Sequence, residues 1–353
     1  MKILFVLDRG NLYGGVQKMM AEVAVALAEL HHDQVGVMMA YIDDDKMEAF
    51  LLSHHVRVHN LRCRKYSPLL PFRYARVIRK YRYEVVHTNH SFSQIFGGIS
   101  SLLVPKAVRF FSTEHSLDSV RRRHAWFRPV DRFCYRRYAC VHAVSHCVRD
   151  RLLAWVGKGM ESRVDVIANG VDVPLLVSSV PLDRSSLGCT GDDTLVCTIS
   201  RLVESKDLKT LIRAMALLPA NYKCVIVGDG ADEENLKNLS KAEGLENRIL
   251  FMGRRTDIGS ILKSADVYVS TSLSEGFGLT IIEASVCGLP VVATDIPAFR
   301  ELLYEEQLFS PGDAKTLAEK IMGWRSLPLH MDFREKYSLT QMADLYRKAM
   351  ASS

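Results

Sequence analysis

What most constrains the fold of this chain is a rhythm that runs through it twice: a short apolar run, a stretch of helical periodicity, then another run. In the first half KILFVLD (2–8) precedes a helix opened by Gly14-Gly15 and running to Leu30. DQVGVMMAY, EVVHTN (84–89), VRFFSTEH (108–115) and CVHAVS (140–145) supply further strands. The second half repeats the plan with TLVCTIS (194–200), KCVIVGDG (223–230), RILFMG (248–253), DVYVSTS (266–272), PVVATD (290–295) and a last strand near 307–310. Asp207 stands where it can cap the helix LKTLIRAMALL. Strands that alternate with helices pair in parallel, with helices on both faces of the sheet. The expectation is therefore an α/β protein with two doubly wound parallel sheets. Residues 171–191, rich in Pro, Ser and Asp and without sustained periodicity, read as the linker. The predicted domains are then 1–170 and 192–335, with a terminal segment 336–353 whose helix (339–349) is placed to cross back onto the first domain.

A length of 353 residues suits two domains, each with its own core, and 48% hydrophobic with 24% charged residues is ordinary for a soluble globular chain. No apolar run approaches the ~18 residues of a membrane span. The opening run meets Asp8-Arg9 at once and reads as a buried strand, not a signal peptide. Eight cysteines with no C-x-x-C and no framework spacing fit reduced thiols in a cytoplasmic protein.

The net charge of +6 conceals an asymmetry. Residues 1–170 hold 26 Lys+Arg against 15 Asp+Glu, a balance of +11, and the remainder is −5. Stretch 57–82 has nine cations and no acid, and 121–137 has seven cations against Asp131 alone. Such a field suits an anionic lipid, a lipid diphosphate or nucleic acid, and equally a solvated face with no partner. Within LPFRYARVIRKYRY (70–83), Tyr74, Ile78 and Tyr81 fall on one helical face, as in an interfacial helix. Peripheral contact with an anionic membrane, at the inner face of the plasma membrane, is the expectation. No nucleic-acid-binding module is visible.

The chemistry concentrates in TSLSEGFGLTIIEASVCGLP (271–290). Glu275 stands before Gly276-Phe277-Gly278, and Glu283 follows inside a short helix stopped by Gly288 and Pro290. Glycines let backbone approach a ligand, and a helix start offers N–H groups and its positive dipole end to an anion such as a diphosphate. Carboxylates accept hydrogen bonds from the hydroxyls of a ribose and a sugar. A plain strand–loop–helix connection with solvated acids fits the same residues. Arg201 and Lys206, in the loop after the first strand of the second half, can reach one point above that sheet edge. There they would neutralise a diphosphate leaving group. Gly14-Gly15 and Gly228-Asp-Gly230 also follow strands, but neither completes a dinucleotide fingerprint. His115 closes a strand at the same kind of edge, although His87, His90, His142 and His146 also lie near strand ends. No His/Cys/Asp spacing resembles a zinc site, so no metal and no bound cofactor are expected.

With these residues in view, the chain resembles the group 1 family of retaining nucleotide-sugar glycosyltransferases over roughly residues 2–320. The family's glutamate–seven residues–glutamate signature falls on Glu275 and Glu283, and its donor-phosphate Arg and Lys fall on Arg201 and Lys206. VIANGVD (166–172), GGVQKMM, EVVHTN, TEH and AVS (143–145) match other family segments. The resemblance implies the GT-B architecture, two facing Rossmann-like domains with parallel sheets. It implies a metal-independent hexosyl transfer with retention, from a UDP- or GDP-sugar to a glycan or lipid-linked acceptor of polysaccharide, lipopolysaccharide or capsule synthesis. Arg201 and Lys206 would hold the diphosphate, Glu283 the ribose, and Glu275 with the backbone of Gly276, Phe277, Gly278 and Leu279 the transferred sugar and β-phosphate. His115 would contact the sugar, and Gly15 would lie near donor and acceptor. Gly228, Gly253 and Arg254 fall in the region expected to meet the base. The chain departs from the family at Pro297-Ala298-Phe299 before Glu301, at Asn89 where a histidine is common, and at His146 where a glutamate is common. An epimerase or phosphorylase on the same fold, or a non-catalytic lipid- or nucleic-acid-binding protein, stands as the alternative.

Overall fold

The structure is a computed structural model that describes residues 1–12, 15–43, 45–64, 66–157 and 159–352, with Val120 as backbone alone. Gly14 of the predicted glycine-pair loop lies outside the described residues. Two compact units form: Met1–Gly170 with Leu339–Ser353, and Val171–Ser338.

Among the described residues the first unit holds seven strands: β1 (Lys2–Gly10), β2 (Gln34–Ile42), β3 (Arg57–Asn60), β4 (Val85–Thr88), β5 (Arg109–Glu114), β6 (Cys140–Ala143) and β7 (Val164–Val166). They pair in parallel in the order β3-β2-β1-β4-β5-β6-β7. The second holds β8 (Thr194–Ile199), β9 (Tyr222–Val227), β10 (Ile249–Gly253), β11 (Val267–Ser270), β12 (Val291–Thr294) and β13 (Leu308–Phe309). Their order is β10-β9-β8-β11-β12-β13, again parallel. The predicted strands all form, most of them trimmed at their ends. β3 and β7 went unpredicted because these edge strands, RVHN and VDV, are too short to show a period.

Helix faces explain the packing. In Leu208–Leu217 the buried Leu208, Leu211, Ile212 and Met215 recur at helical spacing against Val196, Ile226 and Val267 of the sheet. Asp207 sits at the predicted cap position, but its backbone is left-handed (φ 44°). Its carboxylate therefore accepts from the Thr210 hydroxyl at 2.6 Å and not from a helix N–H.

The helix Leu70–Tyr81 corrects the interfacial reading. Tyr74 and Ile78 are each 1% exposed and pack on Leu4, Val6 and Val86, while Tyr81 lies against His59, ring centroids 4.5 Å apart. The apolar stripe faces the sheet, because burying each side chain is worth ~1.5–3 kcal/mol there. The predicted linker also needs revision. Residues 171–191 belong to the second unit, with a helix at Val173–Ser178 capped by Asp172 (2.9 Å to the Leu175 N–H). Arg184 ties the segment to Asp266 at 2.9 Å, and Leu187 and Cys189 are buried. Isolated anchors of this kind leave no period to read.

The last helix, Leu339–Ser352, completes the first unit. Met342, Ala343, Tyr346 and Met350 are buried, the Tyr346 hydroxyl meets Thr113 Oγ1 at 2.8 Å, and Arg347 pairs with Asp33 at 3.1 Å. No helix among the described residues is long and apolar enough to cross a membrane.

Candidate functional site

In the second unit the strand order reverses between β8 and β11, so the chain leaves these neighbours in opposite directions and opens a crevice at their C-terminal ends. The loops flanking it are 200–207 and 271–278, and they are stitched together. The Leu273 N–H donates to Ser205 O (2.9 Å), Thr271 Oγ1 to Lys206 O (2.7 Å), and Thr294 Oγ1 to Ser272 O (2.5 Å). Lys206 Nζ donates to Glu275 Oε1, which also accepts from Ser272 Oγ at 2.9 Å. Lys206 and Glu275 are largely buried, at 14% and 24% side-chain exposure. Arg201, on the same loop as Lys206, is exposed and makes no ion pair among the described residues. One cation is thus held in place while the other is exposed. Ser272 and Thr271 escaped the sequence reading, since serine and threonine after a strand carry no distinguishing signal.

The glycines have distinct tasks. Gly278 has φ 115° at the start of the helix Leu279–Val286, and a Cβ there would lie 2.9 Å from the Phe299 ring. Phe277 is buried and packs edge-on against Tyr337, 5.6 Å between centroids, which anchors the loop. Gly276 and Leu279 complete the turn, whose helix begins with N–H groups that no preceding helical turn can satisfy. Glu283, half-buried, lies one turn in. Gly228 (φ 129°) ends β9 so close to the Arg201 loop that a Cβ would fall 1.8 Å from Ser200 O; at Gly230 it would fall 2.1 Å from Leu202 O. These glycines therefore set the backbone spacing beneath Arg201. The Gly228 N–H donates to Gly253 O at 2.8 Å. Beside Gly253, Arg254 grips Asp229 with two bonds of 3.1 and 2.6 Å.

In the first unit β5 ends at Glu114 and His115 follows. Both His115 ring nitrogens are shielded from solvent with no hydrogen-bond partner among the described residues. Burial first, and the neighbouring His90 second, push its pKa down to about 3. It is therefore neutral near pH 7, with one nitrogen to donate and one to accept. Orphaned buried polar atoms cost ~1–3 kcal/mol each. Asn89 Oδ1 is buried and unmatched as well. His87 and His142 are instead core residues, stacked at 6.1 Å beneath Tyr346. Gly15 opens the helix Gly15–His31 and is exposed.

The sequence reading also missed a buried ionic network behind His115. Arg122 Nη2 donates to Glu114 (2.6 Å), and Arg121 pairs with Asp131 (2.9 Å) and donates to Gln94 Oε1 (2.8 Å). The Tyr135 hydroxyl also donates to Glu114 (2.7 Å), and Trp155 Nε1 to Asp131 (2.8 Å). Two cations taken for surface charge are spent inside, fixing the loop that leaves β5. Among the described residues no three His, Cys, Asp or Glu side chains gather as metal ligands would.

Residues 180–338 match the family model described as glycosyl transferases group 1, and residues 13–174 that of glycosyltransferase family 4. A UDP-Gal:alpha-D-GlcNAc-diphosphoundecaprenol alpha-1,3-galactosyltransferase of Escherichia coli is 30% identical over 240 residues, 63% of this chain and 60% of that protein. The O-antigen biosynthesis glycosyltransferase WclY of Escherichia coli is 28% identical over 193 residues, 52% of this chain and 54% of its own. The chain thus spans somewhat over half the length of these curated relatives. The crystal structure of Anabaena HepE in complex with UDP-glucose superposes with a TM-score of 0.84, at 23% identity and full coverage of both chains.

Proposed function

The chain belongs to the group 1 glycosyltransferases and has the GT-B fold, and from that premise we propose that it transfers a hexosyl group from a UDP- or GDP-sugar, with retention and without a metal. The acceptor is a glycan or lipid-linked sugar of polysaccharide, O-antigen or lipopolysaccharide synthesis, met on the cytoplasmic side of an anionic membrane. The observation that carries this is the arrangement at the β8/β11 crevice, where Lys206 is held by Glu275, itself steadied by Ser272, on the same loop as Arg201, which makes no ion pair among the described residues.

In the reaction the bond between the anomeric carbon and the β-phosphate oxygen breaks, and the acceptor hydroxyl forms a new bond to that carbon on the same face. The acceptor proton passes to the departing phosphate oxygen. Arg201, Lys206 and the first-turn amides of Leu279–Val286 stabilise the charge that grows on the nucleoside diphosphate, the role a metal plays elsewhere. Glu275 accepts from a sugar hydroxyl while steadying Lys206, and Glu283 takes the ribose. Gly228, Gly253 and Arg254 border the base.

The test incubates the purified chain, in EDTA, with a panel of UDP-, GDP- and ADP-sugars and cell-envelope glycan or polyprenyl-diphosphate acceptors, and follows the product's anomeric proton by NMR. Transfer in EDTA with the donor's configuration kept is the expected result. Inversion, an absolute metal requirement, or isomerised nucleotide sugar in place of a glycoside would reject the proposal.

A further inference from the structure

The chain passes between its two units twice, at Gly170–Val171 and at Ser338–Leu339. These crossings are bonded to each other. The Val171 N–H donates to Tyr337 O at 2.8 Å, and Val171 pairs with Ser338 as an isolated parallel bridge. The residue that accepts this bond also carries the ring that meets Phe277 in the glycine loop of the β8/β11 crevice.

Tyr337 is 5% exposed and stands in a column of rings. It packs edge-on against Phe277, 5.6 Å between centroids, and against Phe333 at 4.9 Å, while Phe333 stacks on His330 at 4.7 Å. His330 Nε2 meets Gln307 Oε1 at 2.7 Å, and Gln307 Nε2 donates to Val291 O of β12 at 3.1 Å, so the column is rooted in the sheet. From the short helix Phe333–Lys336, Arg334 Nε donates to Val286 O at 3.1 Å. Val286 ends the helix Leu279–Val286 that the glycine loop begins. Both ends of 277–286 are thus fastened to the segment that leads into the second crossing. Rings packed at interior density pass a displacement on, because few voids remain to absorb it.

We propose that Tyr337 is a positioning residue that locks the Phe277 loop to the two crossings, so that a nucleoside diphosphate on the loop also steadies the Val171–Tyr337 bond. The inference rests on the assignment of this loop to the donor diphosphate. Breaking that bond by moving Tyr337 draws its ring off Phe277, and a ligand that holds the loop opposes the motion. Linkage makes the effect reciprocal: freeing Tyr337 weakens the ligand by the factor with which the ligand tightens Tyr337, roughly 5–150-fold for couplings of ordinary size.

Hydrogen exchange of the full chain, with and without saturating UDP or GDP (whichever calorimetry shows to bind), tests this. In wild type the nucleotide is expected to slow the Val171 amide at least roughly fivefold. The amides of Gly244 and Leu245, in the turn after the helix Glu233–Ala242, should exchange as before. Tyr337→Leu, which keeps the place apolar, should abolish the slowing at Val171 and weaken nucleotide binding about tenfold. The donor KM should rise with it while the acceptor KM stays. Tyr337→Phe keeps the ring and should restore both properties; Phe277→Leu, which cuts the same contact from the loop side, should behave like Tyr337→Leu. No slowing at Val171 in wild type, equal slowing throughout the unit, slowing that persists in either leucine variant, or unchanged nucleotide affinity in both would each overturn the proposal. A chain that binds neither nucleotide loses the donor reading and this inference together; one that binds but transmits nothing to Val171 loses only the inference.

Discussion

At the scale of single residues, the crevice rests on Glu275, which steadies Lys206 and is placed to meet the sugar. Glu275→Ala should lower transfer by about 10³-fold, the scale of losing a group that acts in the transition state, while melting within a few degrees of wild type. A variant that transfers normally would remove Glu275 from the site. Gly228→Ala tests the glycine spacing. Its Cβ would overlap Ser200 O, 1.8 Å away, at a φ that side chains avoid. A loss of roughly 1–3 kcal/mol in stability, with a raised donor KM as the Arg201 loop shifts, is the expected outcome in denaturant titration and steady-state kinetics. The contact between Lys206 and Glu275 was legible beforehand, because both stand in loops that leave strand ends of the same predicted sheet. Ser272 was not, since its role comes from which loops meet and not from any local pattern.

At the scale of elements, each helix was readable where one face is apolar and the other charged. The same legibility misled at Leu70–Tyr81, because an amphipathic stripe looks alike whether it faces a sheet or a bilayer. Charge runs misled for a related reason: Arg121 and Arg122 fall in a basic stretch, yet they fold inward onto Asp131 and Glu114. Removing one partner of that network leaves a charge buried and unpaired. Arg121→Leu should therefore destabilise the first unit by ~3–5 kcal/mol, and adding Asp131→Leu should recover part of the loss. Paired chemical unfolding curves read this directly, and additive effects would show that the pair does not couple.

At the scale of the whole molecule, the doubled strand–helix rhythm announced two parallel sheets. The segment 171–191 was misjudged because its anchors, Arg184, Leu187 and Cys189, are too scattered to show a period. The first unit also carries a pH dependence. Burial lowers the pKa of His87 well below its usual value, of His142 to about 4 and of His115 to about 3. Each binds a proton in the unfolded chain near pH 6.5 but not in the fold, so its stability is complete above that pH and is lost as pH falls toward 4. Between pH 6 and 5 the loss is about 1 kcal/mol per histidine. Thermal melts of the first unit should drop steadily over that interval, and a flat profile would mean that these rings are accessible. The central claim, a diphosphate held at the β8/β11 crevice by side chains and helix amides, is tested most directly by calorimetric titration of UDP and GDP in EDTA into wild type and Arg201→Ala. The account predicts that one of them binds wild type without metal and that the variant weakens it at least thirtyfold, roughly the ~2 kcal/mol of a charge-assisted bond. Equal affinity in the two proteins, or no binding until a divalent ion is added, would contradict it.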